Sequence, residues 1–258
     1  MNNAYTISPI SNGQYHVRIH LDKWMNIEQI RDLQARYDVF HKEDPHFWKV
    51  CKLYGDVLCY KSETLFPFAK ALTTKKKKVL MVLGNPATHS VAKGMFFFSM
   101  GNEENGSEEP HNFWIRLEKA GLIEELWHQS LEEAARTRKW LIQTGLLSQD
   151  YLFGLTTFYS FPTPGMRKYK HNNIEGVGYF FGPAIQFVEQ MEYERLNSYI
   201  KSCSFLSKAV IVCRGKEADK SINNWSKKYI IPNKITKPWP VSGNNCGGDY
   251  LRQILESA

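Results

Sequence analysis

A chain of 258 residues, 43% of them hydrophobic, is long enough for one α/β domain with an appendage and has ample apolar content for a core. Its formal charge of +7 and isoelectric point near 9.0 lean weakly toward a polyanionic partner. The five cysteines are odd in number and form no Cys-x-x-Cys pair, so neither a disulfide framework nor a zinc or iron–sulfur site is suggested, and no apolar run approaches membrane-helix length.

The opening Met-Asn-Asn-Ala-Tyr-Thr lacks a signal-peptide pattern, so reduced thiols and a cytoplasmic location without a membrane partner are expected. Along the first 74 residues, Val17, Ile19 and Leu21 alternate with His16, Arg18 and His20, the pattern of a half-buried strand. Ile27, Ile30, Leu33 and Tyr37 then recur at helical spacing behind a cap at Asn26. No basic-aromatic cluster stands out in this segment. It reads as an α+β extension over residues 1–74 that either packs on the domain over residues 75–258, the better-supported choice, or extends its nucleic-acid surface.

Lys75 to Lys78 lead into Val79–Leu83, a continuous apolar run bounded by Gly84 and Pro86. Such a run suits a fully buried parallel strand, and the lysines before it read as a solvated strand entrance. Ligands of open α/β sheets bind beyond the carboxyl ends of strands, so Gly84-Asn85-Pro86 is either a crevice-lining loop or a turn of ordinary composition. Gly94-Met95-Phe96-Phe97-Phe98 is an aromatic run. Gly101 to Asn112 is polar and turn-rich, and Phe113-Trp114, Leu117 and Ala120-Gly121 continue as a helix.

Ser130 caps a helix through Thr144 that Gly145 ends, and Phe153 to Phe158 is the next strand. After Pro162-Thr163-Pro164-Gly165 come Arg167, Lys168, Lys170 and His171 interleaved with Tyr169, which is either a phosphate-contacting stretch or a solvated loop. A helix through Ile185–Ile200, a strand at Val210–Val212, a helix from Lys216 and a C-terminal helix complete the pattern. Strands and helices alternating at these lengths imply a mostly parallel sheet covered by helices on both faces.

Three blocks in order resemble the uracil-DNA glycosylase superfamily, most closely its mismatch-specific uracil/thymine branch. The first motif of that branch is an apolar strand ending in Asn-Pro, followed by a Ser, a Gly and a stacking Phe, and Asn85, Ser90, Gly94 and Phe97 occupy those positions. Phe113-Trp114 and Ala120-Gly121 continue the likeness. Asp150–Thr156 with Pro162-Thr163 is similar to the second block, and Ala209–Val212 with Gly215-Lys216 to the third. The terminal Pro238-Trp239-Pro240 and Ser242-Gly243 resemble the Pro-x-Pro-Ser-Gly form of that branch, with Val241 inserted; no histidine follows His171.

The resemblance covers roughly residues 75–258 and implies a three-layer α/β sandwich, a central mostly parallel sheet flanked by helices. It implies a monofunctional DNA glycosylase, monomeric and without cofactor or metal, that flips a pyrimidine-derived base from double-stranded DNA and hydrolyses its N-glycosidic bond. Asn85 then positions the water; as an amide it orients the nucleophile and is no strong base. Phe97 stacks on the base, while Leu83, Gly84 and Thr156 line its pocket with backbone donors at Leu83–Asn85 and Phe97. Ser90, Arg167, Lys168, Lys170 and Lys237 contact phosphate, and Ser242, Gly243 and Asn244 enter the gap left by the base.

Three other readings compete with that one. They are a catalytically inactive DNA-binding module on the same fold, an enzyme of free nucleosides, and a lyase using Lys237 as a Schiff-base amine. Relatives are shorter across Glu103–His111 and commonly carry Gly where Ala87 stands. These departures leave two substrates open. One is uracil or a mismatched pyrimidine; the other is a bulky modified base such as the glucosylated hydroxymethylcytosine removed by an anti-phage member of the superfamily.

Overall fold

The computed structural model describes residues 4–11, 13–99, 109–124, 126, 130–165, 170–229, 231 and 233–258. In chain order its elements are β1 (Tyr5–Ser11), β2 (Gln14–His20), α1 (Ile27–Glu43), α2 (Phe47–Val50), β3 (Cys51–Tyr54), β4 (Val57–Glu63), β5 (Lys77–Leu83) and α3 (Thr88–Lys93). They continue as α4 (Asn112–Lys119), α5 (Leu131–Thr144), β6 (Tyr151–Thr157), α6 (Asn173–Phe181), α7 (Ile185–Ser202), β7 (Val210–Cys213), α8 (Lys216–Tyr229) and α9 (Gly248–Ser257). Two compact units emerge: Met1–Glu63 with Asn85–Phe96 and Tyr159–Glu194, and Thr64–Gly84 with Phe97–Phe158 and Arg195–Ala258. The units are interleaved along the chain.

The first unit is built on an antiparallel sheet in the order β1-β2-β4-β3. In β2 the alternation buries Tyr15, Val17 and Ile19 and exposes His16 and Arg18, as the period-two pattern requires. Helix α1 starts with a reciprocal capping box in which Gln29 N–H donates to the Asn26 side chain and Asn26 N–H to the Gln29 side chain. Its buried residues are Leu33 and Phe40, while Ile27, expected on the apolar face, is 64% exposed in the first turn. Phe40 joins Phe47 and Phe180 at 5.3 and 5.5 Å, and Phe161 lies 4.4 Å from Phe180, giving this unit an aromatic core.

The second unit is mixed α/β, with a three-stranded parallel sheet in the order β6-β5-β7 flanked by helices. Val79–Leu83 is buried throughout because β5 is the central strand, paired on both edges from Val79↔Phe153 to Leu83↔Thr157 and from Val79↔Val210 to Val82↔Cys213. Parallel bridges Ile211↔Ile235 and Arg214↔Trp239 continue the order beyond β7.

The lysine run does more than solvate the strand entrance. The Lys76 ammonium donates to the Gly145 and Ser148 carbonyls at 2.9 and 2.6 Å, and Lys77 donates to the Leu255 carbonyl at 2.5 Å. Both cations thus satisfy carbonyls at the ends of α5 and α9, where the helix dipole favours positive charge. Between α4 and α5, Arg138 and Glu118 form a buried ion pair at 2.5 Å, with side chains only 3% and 4% exposed. All five cysteines are free, and among the described residues no helix is long and apolar enough to cross a membrane.

Candidate functional site

Asn85 and Ser90 belong to the first unit. The loop carrying Asn85 is pinned to Thr163: Thr163 N–H donates to the Pro86 carbonyl at 3.1 Å, and Thr88 N–H to the Thr163 carbonyl at 3.0 Å, across the Ala87↔Thr163 parallel bridge. Residues of the N-terminal segment hold the same loop. Buried Asp44 accepts the Thr88 hydroxyl on one oxygen and His46 N–H on the other, and the Gln14 amide donates to the Val91 carbonyl at 2.8 Å. The segment before residue 64 therefore helps set the backbone from which Asn85 projects.

The orientation of the Asn85 amide follows from hydrogen-bond arithmetic. The Thr163 hydroxyl donates its only proton to the Asn173 carbonyl at 2.9 Å, so toward Asn85, 2.7 Å away, it can only accept. That fixes Asn85 Nδ2 as the donor to Thr163 and leaves Oδ1 as the end of the amide able to accept from a water. Asn85 is half-buried and Thr163 is fully buried. Thr163→Val, close in shape, is expected to lower turnover by on the order of 10²-fold through loss of this orientation, with Thr163→Ser retaining most activity and the folded state preserved in both. Single-turnover kinetics beside a thermal melt checks it.

Ser90 is 2% exposed, with its hydroxyl 3.3 Å from His89 Nε2, so its side chain is turned into the unit. The Ala87 methyl packs toward Gly165, where an added Cβ would fall 2.5 Å from it. Lys170 is exposed, and His171 is stacked on Tyr179 at 3.5 Å. Arg167 and Lys168 lie outside the described residues, as do residues 103–108 of the inserted loop.

The second unit holds Leu83, Gly84, Phe97, Thr156, Lys237, Ser242, Gly243 and Asn244. Leu83 is buried and its carbonyl accepts Phe158 N–H at 2.7 Å, while Gly84 is half-buried at the strand end. Phe97 differs from both neighbours: Phe96 and Phe98 are 2% and 3% exposed, whereas Phe97 is half-buried and has φ +51, a conformation costly for an aromatic residue. Its carbonyl accepts the Trp114 indole N–H at 3.0 Å, and its ring packs 4.3 Å from Phe113 and 4.5 Å from His111. His111 in turn caps α4, its Nδ1 accepting Phe113 N–H.

Thr156 does not present its side chain to a ligand in this conformation. It is fully buried, and its hydroxyl is taken by Thr64 at 2.9 Å and by the buried Arg195 guanidinium at 3.3 Å.

The terminal segment is anchored at its base and open at its tip. Arg214, directly after β7, lies 3.8 Å over the Trp239 ring and donates to the Pro240 carbonyl; Arg116 donates to the Val241 carbonyl at 3.2 Å; the Trp239 indole donates to the Gly247 carbonyl at 3.0 Å. Trp239 also lies 5.7 Å from Phe113, which connects the terminal segment to the Phe97 cluster within this unit. Beyond the anchors, Lys237, Ser242, Gly243 and Asn244 are exposed and Val241 is 59% exposed. Burial first, then the charge of Arg116, pull Arg214 below the usual arginine range, so an anion beside these guanidiniums would be stabilising. Sequence reasoning passed over Arg214 and Arg116; the position of Arg214 at the carboxyl end of a parallel strand was the signal that marks it.

Among the described residues no group of three or more His, Cys, Asp or Glu side chains is placed to hold a metal ion. No family model matches the chain, and no curated protein matches it.

Proposed function

We propose that the chain is a monofunctional DNA glycosylase that removes a pyrimidine-derived base from DNA and leaves an abasic site, on a uracil-DNA glycosylase-like three-layer fold. The observation that carries this reading is the Asn85 amide, which follows β5 and Gly84 in the chain and is held by Thr163 with Oδ1 directed away from its anchor. The half-buried, left-handed Phe97 and the extension of the sheet order beyond β7 by bridges at Ile235 and Trp239 agree with it.

In the reaction, the bond between C1′ and the base nitrogen breaks as an oxocarbenium-like sugar develops, and water supplies the new C1′–O bond. Asn85 Oδ1 accepts a hydrogen bond from that water and orients it; the amide takes no proton, so turnover is slow. Phe97 stacks on the flipped base, and backbone N–H groups near Leu83–Asn85 and Phe97 stabilise the departing anion. Val241 and Ser242–Asn244 fill the gap in the duplex, an apolar and small-polar wedge. Arg214 and Arg116 keep its base fixed, and Lys237 and Lys170 add phosphate contacts.

The base is uracil or a mismatched pyrimidine if the protein serves repair, and a bulky modified pyrimidine if it serves phage defence. The purified protein is expected to convert substrate DNA to a product that breaks only after alkali. Strand scission without alkali, with borohydride trapping of the protein on DNA, would instead make Lys237 or another amine the nucleophile.

A further inference from the structure

The antiparallel sheet of the first unit has faces of opposite character. One buries Tyr15, Val17, Ile19, Leu58 and Tyr60. On the other, the register sets side chains in rows across β2, β4 and β3: Arg18 beside Cys59 beside Lys52, His16 beside Lys61, and His20 beside Val57 beside Tyr54. Arg18, Lys52 and Tyr54 are exposed, and Lys61 is half-buried. The remaining pair of the same parity, Gln14↔Glu63, places a buried carboxylate at the far end of these strands, and the three rows above carry none. Burial, and after it the charge of Lys61, hold the His16 imidazole below its ordinary range.

Next to this face, at the edge strand, stands Trp48, 45% exposed, with the Lys52 and Lys49 ammonium groups 5.1 and 5.7 Å from its ring centre; Tyr54 is 65% exposed. With strands about 4.8 Å apart, Arg18 and Lys52 sit roughly 10 Å from each other across the sheet. Cationic rows edged by solvent-facing aromatic rings are what a single strand of nucleic acid requires: cations for its backbone and π-faces for unpaired bases.

We propose that the outward face of this sheet binds single-stranded DNA, with Arg18, Lys52 and Lys61 contacting phosphates and Trp48 and Tyr54 stacking on bases. An anionic membrane offers charge of the same sign, but its binding is driven by apolar side chains entering the bilayer, and the only aliphatic side chain in these rows is half-buried Val57. The surface uses none of the residues assigned to base excision and stands independently of that reading.

The test measures binding of the full-length protein to a fluorescent oligo-dT single strand, to a duplex and to phosphatidylserine vesicles between 50 and 200 mM salt, roughly the range over which phosphate contacts dominate. The variant Arg18→Gln/Lys52→Gln/Lys61→Gln is expected to bind the single strand at least about tenfold more weakly, with the salt slope reduced by about two, from ~0.7 per lost contact. A control carrying the same charge change on α8, Lys220→Gln/Lys227→Gln/Lys228→Gln, is expected to change affinity less than about threefold. Trp48→Ala should weaken the single strand more than the duplex, by about fivefold or more. Circular dichroism and melting establish that each variant is folded. Equal losses in both triple variants, no loss in the sheet variant, or vesicle binding that depends on the sheet residues while DNA binding does not, would each overturn the proposal. Absence of base release would bear on the excision reading alone, since this assay reads binding only.

Discussion

Asn85→Ala is expected to lower base release by at least about 10²-fold while duplex affinity stays within about twofold, a loss of the size seen when a preorganised polar group is removed from a reaction centre. The Thr163 hydroxyl fixes which way the Asn85 amide is turned. Its proton is committed to the Asn173 carbonyl, so the Asn85 amide has one allowed orientation and Oδ1 is its outward end. Alanine removes the acceptor and leaves the Thr163–Asn173 bond in place. Asn85 is half-buried, and its amide donates to the Thr163 hydroxyl and to the Pro86 carbonyl, so the stability cost should be about that of one to two hydrogen bonds, ~1–2 kcal/mol. Single-turnover excision and binding isotherms on the same duplex separate the two effects. Full excision by the alanine variant would remove Asn85 from the reaction, and a parallel loss of affinity would make it a binding residue.

Glu118→Ala is expected to be among the most destabilising single changes in the protein, by about 3–5 kcal/mol, because it strands the buried Arg138 charge. The pair is 2.5 Å apart with both side chains almost fully buried, and Glu118 also accepts Leu126 N–H at 3.3 Å. Arg138 Nε already lacks a hydrogen-bond partner, so the guanidinium has little else to turn to beyond the Trp114 ring, 5.0 Å away. For a chain of this size the loss corresponds to a melting temperature lower by on the order of 10 °C. Glu118→Leu/Arg138→Met should recover most of it, since an ion pair replaced as a unit leaves no uncompensated charge. Calorimetry on the single and double variants decides; a single variant within about 1 kcal/mol of the parent would show that water reaches the pair.

Local signals made much of this fold legible in the sequence. The central strand is a continuous apolar run because it is paired on both edges and covered on both faces, and helix α5 begins at the Ser130 capping box and stops at the left-handed Gly145. Arrangements created by pairing distant segments were not legible. The anchoring of Asn85 depends on Thr163, and the loop between them and the N-terminal segment depends on Asp44 meeting Thr88, a contact no periodicity announces. The basic face of the first sheet escaped for the same reason: Arg18, Lys52 and Lys61 come from three strands and become neighbours only through register. The α1 face erred at Ile27, where helical spacing identifies a stripe but cannot tell that the first turn extends past its packing partners.

The most direct measurement is mass spectrometry of what the protein releases from uracil-containing DNA, G·T-mismatched DNA and glucosylated phage DNA, each incubated with the parent and with Asn85→Ala. The account predicts a free pyrimidine-derived base from at least one of them, appearing with an equal number of alkali-labile sites and absent with the variant. Release of uracil or thymine assigns the protein to repair, and release of the glucosylated base to defence. No free base from any of the three, with DNA binding intact, would contradict the account and make the chain a binding module on the same mixed α/β fold.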